Sequence, residues 1–166
     1  MSTTSSALAA LFARDLARLV RQLDAFDEAR LWQVVPGVTN SAGNLMLHLN
    51  GNLREFVGRQ IGGVPYVRDR THEFSAKHVP RQELTGALTE LASLIPGVIE
   101  RTTDARWEEA FPENVLGGPL SHRHFVTHLY GHLNYHLGQI DYLRRVLTGE
   151  GALAPPPKQQ RGPAPA

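Results

Sequence analysis

Four histidines fall at four-residue intervals, His124, His128, His132 and His136, in a chain that holds 8 in all. A neutral imidazole offers one lone-pair nitrogen and is the commonest protein donor to zinc, nickel, copper and iron, so such a series points to metal chemistry. Residues four apart on an α-helix advance about 400° and climb about 6 Å, so four in series fan across about 120°. They cannot all meet one ion. Two neighbours can, because their side chains lean over the same turn. Spacing alone leaves the choice of pair open.

A third donor stands in "NLMLHLNGNL", where His48 lies between leucines, with Asn44 one turn before it and Asn52 one turn after. Asn40 extends the polar row along an otherwise apolar stretch. Burying such groups is costly without partners, and a metal-bound imidazole flanked by amides would satisfy them. Three neutral imidazoles with one open position form a normal catalytic zinc arrangement. Two sharper motifs are missing. "HLNYH" lacks the glutamate of the zinc-protease helix, and no Glu-x-x-His occurs anywhere, which argues against a ferritin-like di-iron bundle.

The segment "RDRTHEF", residues 68 to 74, is the best candidate for substrate contacts outside the histidines. Arg68 and Arg70 would clamp a carboxylate or phosphate, with His72 or Glu73 for acid–base work. The competing reading is a surface loop held by Arg–Asp and Arg–Glu pairs.

Four helical stretches must position these residues. The first spans about 6–26, with Leu8, Leu11, Phe12, Leu16, Leu19, Val20 and Leu23 on one stripe and Ser5 or Ser6 as cap. The second spans about 40–61 and ends at Gly62-Gly63. The third begins near Pro80 and runs through Leu84, Leu88, Leu91 and Ile95, where Pro96-Gly97 is expected to kink or break it. The fourth spans about 121–147 and stops at Thr148-Gly149. No period-2 run is long enough for a strand, and "AFPENVLGGPLS" holds a short turn at most. The fold class expected is all-α, a four-helix bundle. Its connections at 27–39, 62–79 and 103–120 exceed the about 2–8 residues of a simple up-down bundle, which permits crossovers. The bundle would fill residues 1–148, leaving 149–166 as a Pro/Ala-rich disordered tail.

At 166 residues and 42% apolar content, the chain is one domain able to bury a core. A net charge of +1, with dispersed basic residues, gives no footprint for nucleic acid. No cysteine is present, so disulfides, thiolate ligands and a cysteine nucleophile are all removed. Thiol chemistry would need a thiol brought by a small molecule. The lack of cysteine fits a reducing cytoplasm, the expected location. The opening stretch has no basic n-region, and Arg14 and Asp15 interrupt it too early for a signal peptide. No apolar run approaches the about 20 residues of a membrane span.

The stretches "NLMLHLNGNLREFV" (residues 44 to 57) and "HLNYHLGQIDYLRR" (132 to 145) resemble the DinB/YfiT-like metalloproteins, small four-helix bundles with a histidine on helix two and a His-x-x-x-His pair before Gly-Gln on helix four. "GGVPYVRDRTHEFS" resembles an uncharacterised sub-branch, and the likeness covers about residues 6 to 148. It implies His48, His132 and His136 as ligands of a divalent metal, zinc or nickel; His124 and His128 lie outside the pattern and either line the approach to the site or face solvent, the reading preferred for His124. Gln139, three residues after His136, and Asn44 and Asn52 on the other helix are candidates to hydrogen-bond the ligands. The implied activity is transfer of an external low-molecular-weight thiol to a small electrophile. A metal-dependent hydrolase and a non-catalytic metal-binding module are the alternatives. Members often pair as homodimers, here through the fourth helix with Tyr130, Tyr142 and Leu143.

Overall fold

The structure, a computed structural model, describes residues 3–154. Most of the expected tail lies outside the described residues. Among them are seven α-helices and one π-helical turn: α1 (Thr3–Asp24), α2 (Glu28–Leu31), α3 (Ala42–Leu53) continued by the π turn Arg54–Arg59, α4 (Arg70–Ser75), α5 (Arg81–Arg101), α6 (Asp104–Glu108) and α7 (His122–Thr148). Ala110 and Ser121 form an isolated antiparallel bridge, and no strand is present among the described residues. No helix is long and apolar enough to cross a membrane among the described residues.

The long helices α1, α3, α5 and α7 make the bundle. α1 packs along α5, α5 against α3, α3 against α7, and α7 back against α1. Sequence neighbours α1 and α3 therefore sit diagonally, as do α5 and α7. The long connections 25–41 and 102–121 carry the chain across those diagonals. This arrangement sets α3 and α7, the two histidine-bearing helices, side by side. Phe12, Leu16, Leu19, Leu49, Leu53, Leu88, Leu91, Ile95, Leu133 and Ile140 are all buried between the helices.

Three local expectations change. α1 begins by Thr3, so neither Ser6 nor Ser5 is a cap. Ser5 is buried, donates to Thr102 O at 2.6 Å and accepts from Trp107 Nε1 at 2.7 Å, which ties α1 to the end of α5 and to α6. α5 runs unbroken through Pro96. Proline in a helix interior costs about 3 kcal/mol, but Ile95, Val98 and Ile99 around it are all buried. Burial of about 1.5–3 kcal/mol per large apolar side chain outweighs the lost hydrogen bond. The segment 68–74 is not a loop throughout, because α4 starts at Arg70 with the Asp69 carboxylate accepting the His72 backbone N–H at 2.8 Å. The other ends follow sequence signals. Ser41 and Ser121 cap α3 and α7, and Gly149 ends α7 in a left-handed conformation, φ 74°.

Asp15, fully buried on α1, accepts from Arg14 through two bonds of 2.8 Å and from Tyr130 Oη at 2.7 Å. Burial pushes its carboxyl up, but hydrogen bonds from Arg14, Tyr130 and Asn134 outweigh this and lower it from 3.8 to about 2. A folded value below the unfolded one stabilises the protein above the unfolded value, and the gain is lost as pH falls through the folded value. Wild type should lose on the order of 2 kcal/mol through this group between about pH 4 and pH 2. Urea unfolding at stepped pH is expected to show a shallower acid slope for Asp15→Asn; equal slopes would contradict it.

Candidate metal centre

His48 on α3 and His132 and His136 on α7 meet at the contact between the two helices. His132 Nε2 lies 3.3 Å from His48 Nε2 and 3.1 Å from His136 Nε2. One donor nitrogen from each ring lies within 4.8 Å of the other two. His48 is buried, and His132 and His136 are half-buried. A tetrahedral zinc ion with Zn–N of about 2.0–2.1 Å holds its nitrogens about 3.3 Å apart. The observed spacing is close to that.

The outward nitrogens say what the inward ones carry. His48 Nδ1 is 2.9 Å from Glu73 Oε2, and His136 Nδ1 is 2.7 Å from Gln139 Oε1. Both partners offer acceptor oxygens there; with the proton on Nδ1, the neutral form of each ring turns a bare lone pair on Nε2 toward His132. A single proton on His132 Nε2 could serve one of these lone pairs, not both. A cation satisfies all three. The donor set thus fits a divalent ion with a position left open.

Electrostatics keep the rings available. Burial first, and then the nearby His136, His48, His128 and Arg68 charges, lower His132 to about 4. Burial also lowers His136, with the Gln139 hydrogen bond acting in the opposite sense. His132 is therefore uncharged at neutral pH, with its lone pair free to bind.

Behind His48 stands a carboxylate–guanidinium pair. Glu73 is buried at 4% exposure. It accepts from Arg68 Nε at 2.6 Å and Arg68 Nη2 at 2.8 Å while also meeting His48. Burial raises its carboxyl, but the Arg68 and His48 hydrogen bonds outweigh this and hold it below the ordinary value. Arg68 and Arg70 are not a matched clamp: Arg68 is committed to Glu73, while Arg70 is exposed and stacks over Phe74 at 5.4 Å. Phe74 in turn lies 4.9 Å from the His48 ring. His72 is exposed.

Asn44 acts one step further out. Its amide donates to the carbonyls of Glu73 at 3.1 Å and Ala76 at 2.9 Å, at the C-terminal end of α4. An isolated helix of this length would not hold in water; Asn44 docks it against α3 and so sets Glu73 in place. Asn52 is buried, and its Oδ1 has no hydrogen-bond partner among the described residues; His132 Nδ1 is likewise unpartnered. His124 and His128 are exposed, His128 packing on Phe125 at 6.1 Å and on His132 at 6.5 Å. Of the three residues expected on a dimer surface, only Tyr142 is exposed. Leu143 is buried in the core, and Tyr130 is half-buried on Asp15.

Gly51 is a site residue that the sequence reading missed. A Cβ at this position would lie 2.1 Å from Glu73 Oε1 and 2.8 Å from its carboxyl carbon. Glycine in a helix interior costs about 1 kcal/mol relative to alanine. The signal was there in "HLNGN": a glycine one turn after the candidate ligand, where something must approach closely.

The chain matches a family model described as Mycothiol-S-transferase over residues 7–149. None of the curated proteins matches it. Among solved structures, a DinB-like protein from Bacillus cereus superposes with a TM-score of 0.62 at 17% identity, covering 84% of this chain and 91% of that one. At that identity the likeness concerns the fold.

Proposed function

Because the chain belongs to the mycothiol S-transferase family, we propose that it joins a low-molecular-weight thiol to a small electrophile at the three-histidine site. His48, His132 and His136 would hold the metal, zinc or nickel. When bound, such an ion supplies Lewis acidity that lowers the proton affinity of a thiol presented to it. The chain's own residues do the rest. Glu73 and Gln139 fix the tautomers and orientations of His48 and His136 by accepting their Nδ1–H bonds. Arg68 keeps Glu73 ionised, and Phe74 covers one side of the His48 ring. The thiol's proton leaves to solvent. Its sulfur lone pair forms the new C–S bond, and the leaving group departs with the electrons of the bond it breaks.

The observation that carries this reading is the convergence of three Nε2 atoms, with His132 Nε2 3.3 Å from that of His48 and 3.1 Å from that of His136. A transferase is favoured over a hydrolase because both Glu73 oxygens are committed, to Arg68 and to His48, and this carboxylate is not free to activate water. The absence of cysteine fits a reaction whose nucleophile is the cosubstrate.

Zinc-loaded protein, mycothiol and chlorodinitrobenzene should give the thioether at a rate well above the uncatalysed one, and a chelator should abolish the excess. Thioether formation indistinguishable from the uncatalysed reaction, with metal bound, would overturn the proposal. Ester cleavage without thiol would point instead to the hydrolase.

A further inference from the structure

A groove of about 560 Å³ runs between the 35–40 segment and the second half of α7, with His136 and Gln139 among its lining residues. That volume lies in the range of small-molecule sites, about 300–1,000 Å³. Its apolar walls are Val35, Val38 and Leu45 on one side and Tyr135, Tyr142 and Val146 on the other, with Thr39 and Asn40 as uncharged polar lining. No Asp, Glu, Lys or Arg lines it. Val38 is 39% exposed, and Tyr142 and Val146 are each 68% exposed. Apolar surface left in water favours a ligand that covers it, by about 25 cal/mol for each Å² removed from water.

Resting on the transferase reading above, we infer that this groove receives the electrophile, and that it selects uncharged molecules with an apolar or aromatic body. A second observation separates it from the thiol's place. On the His48 side, an open basin is lined by Arg70, Thr71, Phe74 and Ser75, and Phe74 touches the His48 ring. Arg70 gives that basin a positive charge suited to a polar thiol, whereas the groove beside α7 carries no Asp, Glu, Lys or Arg. On this inference the electrophile comes from the His136 side, the one candidate ligand that lines the groove. Gln139, whose Oε1 is used by His136, keeps its amide N–H groups for a polar substituent on the electrophile. In the reaction with chlorodinitrobenzene the thiol sulfur bonds to the ring carbon and chloride leaves with the C–Cl electron pair. The proton passes to solvent.

The test uses the zinc-loaded full chain and two surface variants, Val38→Asp and Val146→Glu, which place a charge in the groove without touching the core. Fluorescence titration with the uncharged dye N-phenylnaphthylamine is expected to show one site per chain in wild type, weakened about tenfold or more in each variant, as charge in an apolar site demands. The KM for chlorodinitrobenzene should rise by a similar factor, while the KM for mycothiol changes less than about twofold. Wild type should discriminate against chlorodinitrobenzoate, which adds one negative charge to the same ring. Unchanged dye binding and electrophile KM in both variants would overturn the inference. So would equal use of the two electrophiles, or sedimentation showing a dimer that closes the groove and that either variant dissolves. Dye binding in the groove with no turnover by wild type would sink the transferase reading and leave the groove as an apolar-ligand site.

Discussion

Replacing His132 with alanine is expected to lower zinc affinity by about a hundredfold or more in isothermal titration, while the apo protein's unfolding temperature moves by only a few degrees. The magnitude follows from the about 10–16 kcal/mol of structural zinc sites, which spread over four ligands gives about 2.5–4 kcal/mol each, and tenfold corresponds to about 1.4 kcal/mol. His132 is the informative choice because it lies between the other two, 3.3 Å from His48 Nε2 and 3.1 Å from His136 Nε2. Without a cation, those nitrogens turn lone pairs on one another, so the ring adds little to the apo fold. A purely structural histidine would show the reverse pattern, with a large drop in apo stability and no change in zinc uptake.

Glu73→Ala should have the second largest effect, and on two readouts together. It leaves Arg68, whose side chain is only 16% exposed, without its counter-charge, and His48 Nδ1–H without an acceptor. Breaking a buried pair by removing one partner costs about 3–5 kcal/mol. In a chain of this size that corresponds to roughly 10 °C in Tm. Losing the acceptor behind a ligand should also weaken zinc binding about 10- to 100-fold. Glu73→Gln, which keeps an oxygen for His48, is expected to lose less of both. The Glu73→Ala/Arg68→Ala double variant should be more stable than the sum of the single losses predicts, since no charge is then stranded. Additive losses measured by thermal unfolding would mean that the pair does not act as a unit.

The histidine site was legible in the sequence to the extent that local rules reach. His48 stood out because a polar row is expensive in a leucine-rich helix, and the spacing of the α7 histidines admitted only neighbouring pairs. Geometry did not choose the pair; the Gly-Gln after His136 did so by resemblance, and the structure places those three rings together. The Glu73–His48 contact was beyond reach, because the two residues are 25 apart and joined across an irregular connection. The short helix α4 is not legible in the sequence for a related reason. Its own sequence cannot sustain a helix, and its stability comes from Asn44, a residue of another element. Pro96 was weighted by its local penalty, whereas the buried faces of Ile95, Val98 and Ile99 decide the outcome. The 35–40 segment had no periodicity to notice, and only its packing beside α7 makes it the wall of a groove.

Crystals of the protein loaded with zinc, measured at the zinc absorption edge, test the central claim most directly. One anomalous peak per chain is expected between the Nε2 atoms of His48, His132 and His136, about 2.0–2.1 Å from each. A peak held by other residues, or no peak at these rings in protein shown to have been offered excess zinc, would contradict it.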